Sequence, residues 1–191
     1  VIYVTRLDGN SVNLPGHNSY HAEILDGIAE NIAPEAVAGS GLGDQYTMED
    51  IYRMNPEYII VSGSGLFAHD YYEEIMGSSL WASLDAVKAG QVIEVPAESP
   101  WSWMGNPPAA HRLVSILWLG NVLYPEVFDY DLEEKVKEFY QQFYDYELSD
   151  AELSGMLRYS TGNAEQTASS PAPVCGLLAG FGAALFLFRR A

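Results

Sequence analysis

The sequence predicts an α/β fold: a short parallel sheet flanked by helices, then a C-terminal helical extension and a tail. Three apolar runs of strand length carry this prediction, at residues 1–5, 58–62 and 92–96. They lack the polar alternation of a half-exposed strand and so read as parallel strands covered on both faces. Helical patterns separate the runs, and that alternation argues for right-handed crossovers in one Rossmann-like lobe.

After the first strand a polar loop containing Gly and Pro, 8–16, leads to a helix near 19–32. On it Ile24, Ile28 and Ile32 share one face. Thr47 caps the next, short helix, with Asp50 three residues on as its capping-box partner. Asn55-Pro56 ends that helix, because a residue before proline avoids the helical region. A helix follows over 69–76 and a short one near 81–87. Beyond Pro96 a loop rich in Trp and Pro, 97–108, opens onto a long helix, 109–123. An amphipathic helix then covers 132–144, with acidic residues in its first turn where they complement the dipole. Ser149 caps a last one. No internal repeat is present.

Composition narrows the class. The chain has 191 residues, 48% hydrophobic and 13% aromatic, enough for one globular domain plus an additional segment. Nine Lys and Arg face 26 Asp and Glu, for a net charge of -17. Nucleic acid is thereby disfavoured as a partner, because displacing phosphate counterions needs cationic groups, and an anionic membrane surface is disfavoured likewise. The charge reads as a solubilising surface. A single cysteine, Cys175, excludes an intrachain disulfide and Cys-based metal clusters. The chain opens on a core strand without an initiator Met or a signal-peptide pattern, as expected of a piece of a longer polypeptide.

The tail has a different chemistry. Residues 160–173 turn to Ser, Thr, Asn, Gln, Ala and Pro, a linker composition. Residues 174–188 are apolar or Gly throughout and are closed by Arg189-Arg190. As a helix they span roughly 22 Å at ~1.5 Å per residue, short of the ~30 Å hydrocarbon core, with arginines placed to snorkel. The segment 174–190 is expected to anchor the chain in a membrane, arginines inside and the globular part outside.

The run Tyr46-Thr47-Met48-Glu49-Asp50-Ile51-Tyr52-Arg53-Met54-Asn55-Pro56-Glu57-Tyr58-Ile59-Ile60-Val61 resembles a block in the binding proteins that deliver iron-siderophores, haem and cobalamin to ABC importers. The residues before it, 19–33, are similar to the helix after the first strand of that family's second lobe. Here Ile28-Ala29-Glu30-Asn31-Ile32-Ala33 lacks the family's two glycines. Val87-Lys88-Ala89-Gly90-Gln91-Val92 resembles the approach to its last strand, and Asn106-Pro107-Pro108-Ala109-Ala110-His111-Arg112-Leu113 its closing helix. Leu123-Tyr124-Pro125-Glu126-Val127-Phe128 and Phe139-Tyr140-Gln141-Gln142-Phe143-Tyr144 are similar to a tail of archaeal and anaerobe members. The resemblance implies that 1–157 form the second, C-terminal lobe of a bilobal solute-binding protein, 158–173 a flexible linker and 174–191 a membrane anchor or sorting signal. Pro171-Ala172-Pro173 before the apolar run and Arg-Arg resembles archaeal sorting signals, in which a lipid replaces the tail. The implied partners are an ABC permease with its ATPase and an iron or cobalt chelate, with no other cofactor. The implied place is outside the cytoplasm. Glu49 matches the glutamate that docks on permease arginines; by itself it also reads as a helix N-terminal carboxylate on the dipole.

Ligands of open α/β sheets lie beyond the carboxyl ends of the strands. That selects three loops, 10–20, 62–69 and 97–106. The first carries Asn13, His17, Asn18 and Tyr20, the second Ser64, Phe67 and His69, the third Trp101, Trp103 and Met104. Aromatic walls with a few polar groups suit a large, flat, partly apolar chelate. The same tryptophans also suit packing against the closing helix. His17 and His21, at i, i+4, share a face if the helix begins early enough. Together with His69 and His111 they raise metal ligation, yet no HExxH or carboxylate spacing accompanies them, so no dedicated metal site is expected. Gly63-Ser64-Gly65 lacks the phosphate-loop Lys-Ser/Thr and is not G-x-S-x-G; it reads as backbone relief near a ligand. No catalytic residue is assigned. A surface-anchored hydrolase-like enzyme or an adhesion module is the alternative, since fold does not decide function.

Overall fold

The computed structural model describes residues 1–37, 41–63, 70–97, 102–104 and 109–162. The expected strands form one parallel sheet in the order β1-β5-β6, with β1 at Ile2–Val4, β5 at Ile59–Val61 and β6 at Val92–Glu94. Register puts Tyr3 beside Ile60 and Ile60 beside Ile93, and Ile2 beside Ile59 beside Val92. Because side chains alternate along a strand, these two rows face opposite ways, and each belongs to its own core. Tyr3, Ile60 and Ile93 face one cluster; Ile2, Ile59 and Val92 face the other. Burying each such aliphatic side chain stabilises the fold by about 1.5–3 kcal/mol.

The first core is closed by α1 (Glu23–Ile28), α5 (His111–Leu123), α6 (Leu132–Tyr144) and α7 (Asp150–Met156), through Leu25, Trp118, Phe139 and Leu153. The second is closed by α2 (Met48–Met54), α3 (Tyr71–Gly77) and α4 (Asp85–Lys88), through Ile51, Ile75 and Ala86. Caps set the helix starts as expected. Thr47 and Asp50 form a reciprocal capping box, as do Ser149 and Glu152. Asn55 closes α2 in the left-handed conformation, φ 38°.

Three expectations are corrected. The polar loop over 8–16 is a hairpin: β2 (Arg6–Asp8) and β3 (Ser11–Leu14) pair antiparallel around Gly9 at φ 60°, and β4 (Asp44–Thr47) joins β3. Val12 and Leu14 alternate inward from this second sheet onto the core. The helix expected over 19–32 is confined to Glu23–Ile28, preceded by turns with Asn18 at φ 65°. Ile24 and Ile32 consequently pack into different cores rather than along one helical face. The lobe also continues past 157. Tyr159 O accepts from Glu94 N at 2.8 Å, and Ser160 Oγ donates to Glu94 O at 2.7 Å. Tyr159 and Ser160 thus satisfy the Glu94 backbone groups on the outer edge of β6, which a free linker starting at 158 would leave open. The expected linker beyond Gly162 and the apolar segment 174–190 lie outside the described residues. Among the described residues no helix is long and apolar enough to cross a membrane.

Candidate functional site

The carboxyl end of the parallel sheet is built for close approach. At the end of β5 the Tyr3 hydroxyl and Ser62 Oγ lie 3.1 Å apart, buried, and burial pushes the Tyr3 phenol up to about 12. A side-chain carbon on Gly63 would stand 2.3 Å from Val95 O and 2.5 Å from Ala97 Cβ, so only glycine lets β5 end against the exit of β6. The relief Gly63 supplies is therefore toward the neighbouring strand's backbone. Beside this exit is a small cleft of about 150 Å³ lined by Asp70, Glu94, Pro96, Ala97, Arg158 and Tyr159.

The loop after β3 turns on Gly16, where a side chain would collide with Pro34 O at 1.6 Å. His17 is exposed and its Nδ1 lies 3.3 Å from Asp26 Oδ1, which also accepts from Asn31 Nδ2 at 3.0 Å. Asn18 Nδ2 donates to Glu35 Oε1 at 2.8 Å. Tyr20 is 56% exposed, its ring 3.9 Å from that of His21. His21 is buried, so the pair His17 and His21 does not share a helical face; the turns before α1 send one outward and one inward. Asn13 Nδ2 donates to Gly43 O at 3.0 Å, and its buried Oδ1 has no hydrogen-bond partner among the described residues.

In the third loop, Trp103 and Met104 pack against the closing helix. Trp103 is 1% exposed and meets Trp118 of α5 edge to face at 6.2 Å, and Met104 Sδ accepts from Ser115 Oγ at 3.3 Å. Both belong to the core behind the strand ends in this lobe. Ser64, Phe67, His69 and Trp101 lie outside the described residues. His111 is fully buried among Phe139, Tyr140 and Tyr144, and its Nδ1 meets the Tyr144 hydroxyl at 3.1 Å. Among the described residues no group of three or more His, Cys, Asp or Glu is placed to hold a metal ion.

One residue at this end was legible only as part of a motif. Arg112 opens α5 directly after the third loop, and its guanidinium donates to Tyr20 O and Glu23 Oε2, tying that loop to the first. Its Nε is buried without a partner among the described residues. Burial first, and then the Arg112 charge, hold the His21 imidazole below its ordinary range. The signal available in the sequence was the scarcity of cations: Arg112 is the single Lys or Arg between residues 89 and 134. Glu49 stands elsewhere, in the first turn of α2 beside the hairpin, with its side chain 81% exposed and 3.5 Å from Arg53 Nη2. A groove of about 680 Å³ lies between α6 and α7 and carries its own ion pair, Lys137 with Asp150.

A three-stranded parallel sheet with helices on both faces and its loops gathered at the carboxyl end defines an α/β lobe of the doubly wound kind. The chain belongs to the periplasmic binding protein family, whose pattern matches residues 1–99. It is 31% identical over 117 residues to the molybdate-binding protein MolA of Haemophilus influenzae, covering 61% of this chain and 31% of that protein. Among solved structures it is similar to an ABC transporter solute-binding protein from Sulfurospirillum deleyianum, with a TM-score of 0.71 and 31% identity over 82% of this chain and 46% of that one. A periplasmic solute-binding protein from Veillonella parvula matches with a TM-score of 0.64 and 26% identity, over 86% of this chain and 48% of that one. The chain spans less than half the length of these relatives.

Proposed function

We propose that this chain is the second lobe of the solute-binding component of an ABC importer. It forms one wall of a cleft that takes a metal-containing solute and delivers it to the permease. The observation that carries the reading is the bridge from Arg112 to Tyr20 and Glu23, which sets a guanidinium at the strand ends where such folds bind ligands. A guanidinium favours anionic oxygens, and it does so bidentately. Molybdate, the ligand in the name of the Haemophilus relative, presents such oxygens. So does a ferric chelate, the cargo that the sequence resemblance implies; haem and cobamides extend the same class. His17, Tyr20 and Arg112 are the contacts assigned to the described part of this lobe, with Ser64, Phe67, His69 and Trp101 from the other loops. Asn13, Trp103 and Met104 support these loops from behind.

The reading is of a binding protein rather than an enzyme, and family membership supports it. Its place is outside the cytoplasm, with 174–190 as a membrane anchor or as a signal exchanged for lipid. Glu49 is the permease-docking carboxylate. Its pair with Arg53 is largely exposed and such pairs contribute little, so exchanging Arg53 for a permease arginine costs little. The test is stimulation of the cognate importer's ATPase by the full-length gene product. Glu49→Arg abolishes stimulation while ligand affinity is retained; equal stimulation by both proteins contradicts the assignment.

A further inference from the structure

Helix α5 is apolar nearly all round. Its sequence, HRLVSILWLGNVL, has no charged residue after Arg112. Its inner side carries Val114, Trp118 and Leu119 into the core. Its outer side carries Leu113, 52% exposed, and Ile116, 38% exposed, three residues apart and so on one face. Further along that face the chain covers itself: the Phe128 ring lies over Gly120, where a side-chain carbon would meet it at 3.1 Å. Among the described residues, none covers the first half of the helix in this way. A helix apolar on every side is ordinarily buried, and this bare stretch begins beside Arg112, at the edge of the proposed cleft.

We infer that Leu113 and Ile116 form an interlobe surface, covered by the other lobe of the same polypeptide. The inference rests on the two-lobe reading above. It is supported by length, since the chain matches 82% and 86% of itself to solved structures of which it covers only 46% and 48%. Those relatives therefore carry about as much chain again. A second copy of this chain is the competing occupant, and a net charge of -17 on each copy opposes it.

The test is cysteine accessibility in the full-length gene product, with Cys175→Ser as background and Leu113→Cys, Ile116→Cys or Glu138→Cys added singly. Glu138 lies on the solvent side of α6 and serves as the control. Maleimide labelling at 113 and 116 is expected to be slower than at 138 by about tenfold or more, because reaction then waits for an opening of the interface. The readout needs no ligand, so it stands or falls apart from the cargo assignment. Hydroxyl-radical footprinting of Leu113 and Ile116 in the unmodified protein gives the same answer should a variant fold poorly. Equal labelling at all three positions overturns the inference. So does protection that disappears on dilution, which assigns the face to a second copy.

Discussion

The indole Nε1 of Trp118 donates a 2.6 Å hydrogen bond to the carbonyl of Ser160, both buried. The closing helix thereby fixes the segment that completes the edge of β6. Replacing the indole leaves a buried carbonyl without its donor, and such an orphan costs about 1–3 kcal/mol. Trp118→Phe is accordingly expected to lower urea-unfolding stability by at least that much, and the vacated ring volume adds to it. An unchanged midpoint contradicts this role.

Gly63 joins β5 to the exit of β6 with no room for a side chain. Gly63→Ala is expected to destabilise by about 1–3 kcal/mol through overpacking against Val95 and Ala97. Gly77→Ala is the matched control, since nothing lies within 4 Å of the added carbon. Thermal melting of both variants separates a local clash from the general effect of losing a glycine.

How much of this was legible in the sequence follows from which forces are local. The strands at 59–61 and 92–94 could be read because doubly buried strands are apolar without interruption. Helix Leu132–Tyr144 could be read because one face is apolar and its start is acidic. The hairpin was misread as a loop although Asp8-Gly9 is a turn signal between alternating residues; the polar content of Arg6–Asp8 and Asn10 masked it. The place of Trp103 depends on Trp118, fifteen residues away across a turn, and no local pattern states that contact. Arg112 had the same difficulty, since its partners Tyr20 and Glu23 lie far back in the chain.

Acid sensitivity falls in two pH ranges. The capping hydrogen bonds from Ser149, with one from Tyr146, hold the Glu152 carboxyl at about 2 against its ordinary 4.5. Its contribution is complete above 4.5 and is lost as pH falls toward 2. Burial lowers His111 below its ordinary 6.5, so below that pH the unfolded chain binds the extra proton and stability declines. Stability measured from pH 7 downward should therefore begin to fall near 6.5 and fall again below 4.5. Ser149→Ala reduces the lower step, to which the lowered carboxyls of Asp50, Asp85 and Asp150 also contribute, and costs about 1 kcal/mol at neutral pH. His111→Phe reduces the upper step, the buried His21 supplying the rest, and a pH profile unchanged by both contradicts the assignment.

The most direct measurement is ligand binding by the full-length gene product, followed by calorimetry with molybdate, a ferric siderophore, haem and a cobamide in turn. The account predicts saturable one-to-one binding of at least one of them. It also predicts a loss of about tenfold or more in affinity for Arg112→Gln, as removal of a charge-assisted hydrogen bond requires, in a variant that still unfolds cooperatively although the bridge to Tyr20 and Glu23 is gone. Binding that is indifferent to Arg112, or no binding of any of the four by folded protein, would contradict it.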